Sequence, residues 1–368
     1  MGFLRFFLAV SVVLTHVSAR WELIPGARAV QIFFIISGFY MAMILSEKYG
    51  FQGSGLKAFF LNRILRIYPT YLLVLVFAIF WQIICHFSTH SKSPIEFLTF
   101  GSFLPFWQRG LFILSNFTLI GIDTVYLFSY SNTFGLLFLI NTHSDIMFGP
   151  NLILLYRFAI IPQAWSISAE LCFYALAPFA CFGEGSRAVV LGLISLILSY
   201  FITKNYGSSY FFWPASFYLF AVGIISYKLS ACVVSYAQLF LGHHTAWLTY
   251  VVSVAFLLFV PVVKNRLFEG IFLVSSIFLV PMLFKVTKYN KTDRFLGNLS
   301  YSIYCVHMLM FELSRTVIGK LHLSYALLPA FVLISSIIAS IALYHFVEAR
   351  IDQIRGAISL RVKRTSKS

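Results

Sequence analysis

The chain has 368 residues, of which 60% are hydrophobic and only 11% carry a charged side chain. Soluble proteins carry about 25% charged residues, so a soluble globular domain is excluded and a polytopic membrane protein is indicated. The formal charge of +15 does not mark a nucleic-acid binder, because the basic residues are scattered between apolar runs, as membrane topology requires.

The first apolar segment, residues 3–20, reads FLRFFLAVSVVLTHVSAR and carries Arg5 and His16 inside a run otherwise fit for lipid. Eleven residues at ~100° each return to one helical face, and at ~1.5 Å per residue the two side chains are ~16 Å apart along the axis. Ionisable groups inside a spanning helix are costly, so the stripe is read as two ends of a polar path. The competing reading makes Arg5 a positive-inside anchor and His16 a hydrogen-bonding partner of a neighbouring helix. The opening resembles a signal peptide, but further spans follow and an intramembrane histidine suits a retained helix.

Nine more segments reach or come within two residues of the ~17–25 that a span needs: 29–45, 67–87, 164–180, 188–203, 211–228, 247–263, 270–284, 295–313 and 325–347. The expected fold is therefore an all-α polytopic membrane protein of about ten transmembrane helices. Residues 88–163 are apolar and aromatic but interrupted by Gly, Pro, Asn and Asp. They read as a long outer loop, partly re-entrant near 111–122 and 133–140. With the N-terminus in the cytoplasm, 17 of the 27 Lys and Arg residues fall on the inner side, which favours both termini inside. The transmembrane domain is expected over residues 1–348, followed by a basic cytoplasmic tail, 349–368, at the membrane surface. No internal repeat and no second globular domain is evident.

This topology brings His16, Glu170 and His307 to one depth, each ~6–9 Å below the outer surface by helical rise. Two imidazoles and a carboxylate at one level suit proton handling, with the carboxylate orienting a histidine base. A structural network of buried polar groups is the alternative. On the inner side Arg63 and Arg66, in LNRILRIYP, are i, i+3 neighbours. They form a guanidinium pair suited to phosphate, or a plain topological anchor. The five cysteines, Cys85, Cys172, Cys181, Cys232 and Cys305, form no CxxC pair, so neither a disulfide framework nor a metal site is expected.

Together these motifs resemble the acyltransferase family 3 membrane proteins, which O-acylate surface polysaccharides and related glycans. The resemblance runs from Leu4 to about Glu348. It rests on Arg5 and His16, on FFIISGF with Ser37 and Gly38, and on RILRIYP with Arg63, Arg66 and Pro69. AWSISAELCFYALAP adds Trp165, Ser166, Glu170, Tyr174 and Pro178, and LGNLSYSIYCVHM adds Gly297, Ser300, Tyr301, Tyr304 and His307.

The resemblance implies an O-acetyltransferase in a bacterial inner membrane, with no permanently bound cofactor and cytosolic acyl-CoA, usually acetyl-CoA, as donor. The acceptor is a hydroxyl on a surface glycan or lipid-linked sugar, with the O-antigen of lipopolysaccharide as the favoured class. It makes His16 the catalytic histidine with Glu170 orienting it, and gives the CoA phosphates to Arg63 and Arg66 with Arg5 on the donor path. Trp165, Ser166, Tyr301 and His307 then line the substrate cavity, while Ser37 and Gly38 serve close helix packing. Some members carry an added hydrolase-like domain; this chain shows no GxSxG elbow and is expected to be the membrane core alone. The rival reading is a secondary transporter or flippase for a glycan precursor, although the two halves show no matching pair of interrupted helices.

Overall fold

The structure is a computed structural model that describes residues 1–89, 106–131, 136–139, 152–241, 246–259 and 266–365. Each of the ten segments expected to span contains a helix among the described residues. These helices are α1 (Gly2–Val17), α2 (Gly26–Ile44), α3 (Gly53–Thr89), α5 (Ala164–Cys181), α6 (Ser186–Tyr206), α7 (Trp213–Lys228), α9 (Ala246–Phe259), α10 (Arg266–Thr287), α11 (Lys291–Lys320) and α12 (Leu328–Leu343). Among the described residues, six helices are long and apolar enough to cross a membrane by length and composition. The described residues also include three helices not expected as spans: α4 (Phe106–Thr118), α8 (Ser230–Leu241) and the tail helix α13 (Ala349–Thr365).

The stretch read as an outer loop has structure of its own. Helix α4 covers most of the first expected re-entrant piece. In the second lies a strand of a small antiparallel sheet, ordered β2 (Leu136–Leu139), β1 (Phe128–Ser131), β3 (Leu152–Leu154). Aromatic and branched residues in runs of three or four favour paired strands over a helical turn. Residues 90–105, 132–135 and 140–151 lie outside the described residues, and with them the rest of that expected loop.

The chain divides into two compact units. The first comprises Met1–Ile67, Phe173–Ile194 and Phe217–Ser368; the second comprises Tyr68–Cys172 and Ser195–Ser216. In the first unit α1 packs between α11 and α12. Ala9 and Val13 meet Leu299, Ile303 and Ile318 of α11 and Leu328 and Val332 of α12, with Phe6, Phe295 and Phe311 at the edge.

The start of α1 explains its register. The helix has no side-chain cap of its own, and the exposed N–H groups of its first turn need acceptors. Asp293, in the first turn of α11, supplies them. Its carboxylate accepts from the Gly2 N–H at 2.6 Å and the Phe3 N–H at 2.8 Å, and lies 2.8 Å from the Met1 amino group. Asp293 is itself placed by Asn290, whose side chain accepts from the Asp293 N–H at 3.0 Å. The crossing is so close that a Cβ on Gly2 would lie 1.5 Å from the Asp293 carbonyl oxygen, and one on Gly297 2.8 Å from the Gly2 Cα.

A second close crossing joins α2 and α7. A Cβ on Gly38 would lie 2.0 Å from the Phe220 carbonyl oxygen, and one on Gly223 would lie 1.9 Å from that of Ile35. Ser37–Gly38 is thus a packing element, as expected of small residues at helix crossings.

In the second unit, Asn116 ties α4 to the segment before α5. Its amide donates to the Phe158 carbonyl at 3.0 Å and accepts from the Ile160 N–H at 2.9 Å. Asp123 accepts from Ser168 at 2.8 Å. Trp165 is buried against Tyr210 and Phe211, with ring centroids 4.6 and 4.9 Å away.

Candidate functional site

His16 lies in the last turn of α1 and is exposed; His307, on α11, is 1% exposed. The docking of α1 on α11 brings them together. Their rings stack with centroids 5.2 Å apart and planes 9° from parallel. His307 Nδ1 is 2.8 Å from the Tyr304 carbonyl oxygen. A carbonyl only accepts, so Nδ1 carries the proton and Nε2 keeps its lone pair. That Nε2 is buried with no hydrogen-bond partner. The Tyr304 ring packs beside His307 at 5.7 Å and is met edge-on by Phe33 at 6.3 Å, which holds the imidazole in place. The result is one imidazole open to its surroundings and a second behind it with a fixed tautomer and a free acceptor.

Arg5 lies one end of the stripe away from His16, ~16 Å along the helix axis by rise. It is half-buried beside the α1–α11 crossing, where a Cβ on Gly297 would be 3.8 Å from its Nη1. Its charge reaches the Tyr40 phenol of α2.

The arginine pair sits on α3, which begins at Gly53 and runs through Pro69. The Arg63 guanidinium lies between two rings, 6.0 Å from Phe59 and 5.8 Å from Tyr174. Its Nε is buried without a hydrogen-bond partner, and no carboxylate of the described residues pairs with it. Arg66 lies over the Tyr301 ring at 5.7 Å and 3.7 Å from Glu348. Tyr301 donates to the Ile67 carbonyl at 2.8 Å, and the other Glu348 oxygen accepts from Ser302. Tyr301 therefore stands with Arg66, six residues before His307 on α11.

In the first unit the structure thus brings His16 to His307 and Arg66 to Tyr301 on α11, with Arg63 one turn before Arg66 on α3 and Arg5 beside the α1–α11 crossing. Trp165, Ser166 and half-buried Glu170 belong to the second unit. Ser166 donates to the Gln163 carbonyl at 3.2 Å in the first turn of α5. Sequence reasoning passed over Asp293 and Ser302 and treated Glu348 only as the end of the membrane domain. Asp293 had a signal, the Asn290 start three residues before it. Glu348 had one too, as a lone acid closing a long apolar run.

A family model described as an acyltransferase domain matches residues 1–345, nearly the whole chain. No curated protein and no solved structure matches it. The matched region contains Arg5, His16, Arg63, Arg66, Trp165, Glu170, Tyr301 and His307, and the chain belongs to the acyltransferase family 3.

Proposed function

We propose that this membrane acyltransferase is an O-acetyltransferase. It moves an acetyl group from cytosolic acyl-CoA to a hydroxyl of a surface polysaccharide or its lipid-linked precursor, with lipopolysaccharide O-antigen as the favoured acceptor. The proposed setting is a bacterial inner membrane, with both termini cytoplasmic and ten spans. The observation that carries the reading is the His16–His307 pair, because acyl transfer to a hydroxyl needs a base where the hydroxyl meets the thioester.

In the proposed reaction His16 takes the hydroxyl proton as the oxygen attacks the thioester carbonyl. The new C–O bond forms, the C–S bond breaks, and the thiolate leaves with the proton that His16 returns. The alternative order has His16 attack first and hold the acetyl group before the sugar takes it. In either order the parallel His307 ring keeps the His16 plane fixed, and Glu170 is proposed as a second catalytic group. Arg63 and Arg66 hold donor phosphates, since guanidinium forks match phosphate oxygens bidentately. Arg5 is proposed to line the donor path and His307 the substrate cavity; Tyr301 and, in the second unit, Trp165 and Ser166 are further proposed substrate contacts.

The test is mass spectrometry of surface polysaccharide from cells with the gene, without it, and with His16→Ala. The reading expects one acetyl group per modified unit that requires both gene and histidine. Normal acetylation in the deletion strain overturns it, and failed polysaccharide export in both strains turns the reading to a transporter.

A further inference from the structure

Beyond the matched region the chain continues as α13 (Ala349–Thr365), which follows directly on Glu348, the carboxylate 3.7 Å from Arg66. Its Ser359 is buried and hydrogen-bonds Tyr49 at 3.0 Å, which holds the helix against the segment before α3. One and a half turns into α13 stands Arg355. Its side chain is 18% exposed and paired through Nη1 with Asp352 on the same helix. Glu348, Asp352 and Arg355 are four and three residues apart and share one helical face, and Glu348 on that face lies 3.7 Å from Arg66. Tyr49, the partner of Ser359, packs on Phe59 at 6.1 Å, and the Arg63 guanidinium lies 6.0 Å from the same Phe59 ring. Three guanidiniums therefore share this corner with two carboxylates, Glu348 and Asp352, leaving one positive charge in excess.

The unused donors point the same way. The Nε atoms of Arg63 and Arg355 are both buried without a hydrogen-bond partner. Nε with its neighbouring Nη is the side-on fork by which a guanidinium grips a phosphate, so both arginines keep a bidentate edge open. A buried donor left unpaired is costly, as is a buried excess of like charge. A phosphate ester relieves both at once.

We propose that Arg355 of the tail helix joins Arg63 and Arg66 in a three-guanidinium phosphate site for the nucleotide end of the acyl-CoA donor. The proposal rests on acyl-CoA being the donor. It extends the donor site to a helix outside the region that defines the family, and makes α13 part of the binding machinery.

The test is equilibrium binding of CoA to the purified full-length protein, in nanodiscs of phosphatidylcholine and of phosphatidylglycerol. The wild type and Arg355→Ala are compared, with thermal unfolding as the check on folding. The proposal expects CoA affinity to fall roughly tenfold or more in Arg355→Ala, the scale of one lost charge-assisted interaction, in both lipids. Unchanged CoA affinity overturns the proposal while leaving the donor reading intact. So does a variant that loses only sensitivity to phosphatidylglycerol, which assigns Arg355 to a lipid headgroup. A wild type that does not bind CoA overturns the donor reading and this site with it. If Arg355→Ala fails to fold, Asp352→Asn takes its place. Freeing Arg355 from its carboxylate partner should tighten CoA binding, and equal or weaker binding overturns the proposal.

Discussion

His16 and His307 lie in parallel planes 5.2 Å apart, although 291 positions separate them in the chain. One is exposed and the other buried, and the buried ring spends its Nδ1 proton on the Tyr304 carbonyl. A stack of this kind fixes the plane of the outer ring without consuming either of its nitrogens.

His16→Ala is expected to lower acyl transfer by about 100- to 10,000-fold, the usual contribution of a positioned acid–base group. Protein level and membrane insertion should stay normal, because His16 is exposed at the end of α1. His307→Phe keeps a flat ring behind His16 but removes the Nε2 lone pair. It is expected to lose activity as well, and transfer at the wild-type rate would reduce His307 to packing. Both are read by transfer of labelled acetyl from acetyl-CoA in purified membranes.

Charge reversal at Arg63 and Arg66 is expected to raise the KM for acyl-CoA by roughly tenfold or more, with a smaller effect on kcat, if these groups hold donor phosphates. Lysine at both positions should recover only part of the loss, because an ammonium lacks the planar fork. Steady-state kinetics over a range of acyl-CoA concentrations separates the two parameters. An unchanged KM would make the pair a topological anchor.

Asp293, just ahead of the predicted span 295–313, links pH to stability. Burial pushes its carboxyl up, but hydrogen bonds from the Met1 amino group and the Phe3 and Gly2 N–H groups outweigh this. Its folded pKa therefore lies below the ordinary value of 3.8. A depressed folded pKa means stabilisation that is complete above the unfolded pKa and lost as pH falls through the folded one. Asp293→Asn is expected to cost about 2 kcal/mol near neutral pH, the scale of charged hydrogen bonds. The difference from wild type should close as pH falls below about 4. Thermal unfolding in detergent across that range checks it.

Gly38→Ala puts a Cβ where the structure leaves 2.0 Å to the Phe220 carbonyl oxygen. The backbone of α7 cannot give way as a flexible side chain would, so α2 and α7 must separate. The expected cost is about 1–3 kcal/mol, typical of overpacking, read as a lower unfolding temperature. Gly356→Ala, inside α13 where nothing lies within 4 Å, should be neutral or stabilise by up to about 1 kcal/mol. Equal effects at the two positions would refute the close-crossing account.

Each of the ten segments chosen by length and hydropathy contains a helix among the described residues, since a backbone in lipid must satisfy its own hydrogen bonds. The common stripe of Arg5 and His16 was equally legible, because both lie on one continuous helix whose period is constant. So were Arg63 and Arg66, three residues apart on α3. The region after residue 88 was read less well. Its strands and α4 depend on partners such as Asn116 and Phe158, which join positions 42 residues apart. The tail helix read only as basic, and its contact with Tyr49 comes from a partner 310 residues away.

By itself, then, the sequence determined that the chain is a helical membrane protein and which side chains share a helical face, because both follow from local composition and period. It also carried the motifs of the family. Only the tertiary structure decided which faces meet. Asp293 caps α1 from another helix and sets the register that stacks His16 on His307. The close crossing at Gly2 and Gly297 makes that approach possible. The docking of α13 through Ser359 on Tyr49 decides which face of the tail helix turns inward. These relationships depend on the fit of distant surfaces, and a helical period carries no information about which surface another helix will find.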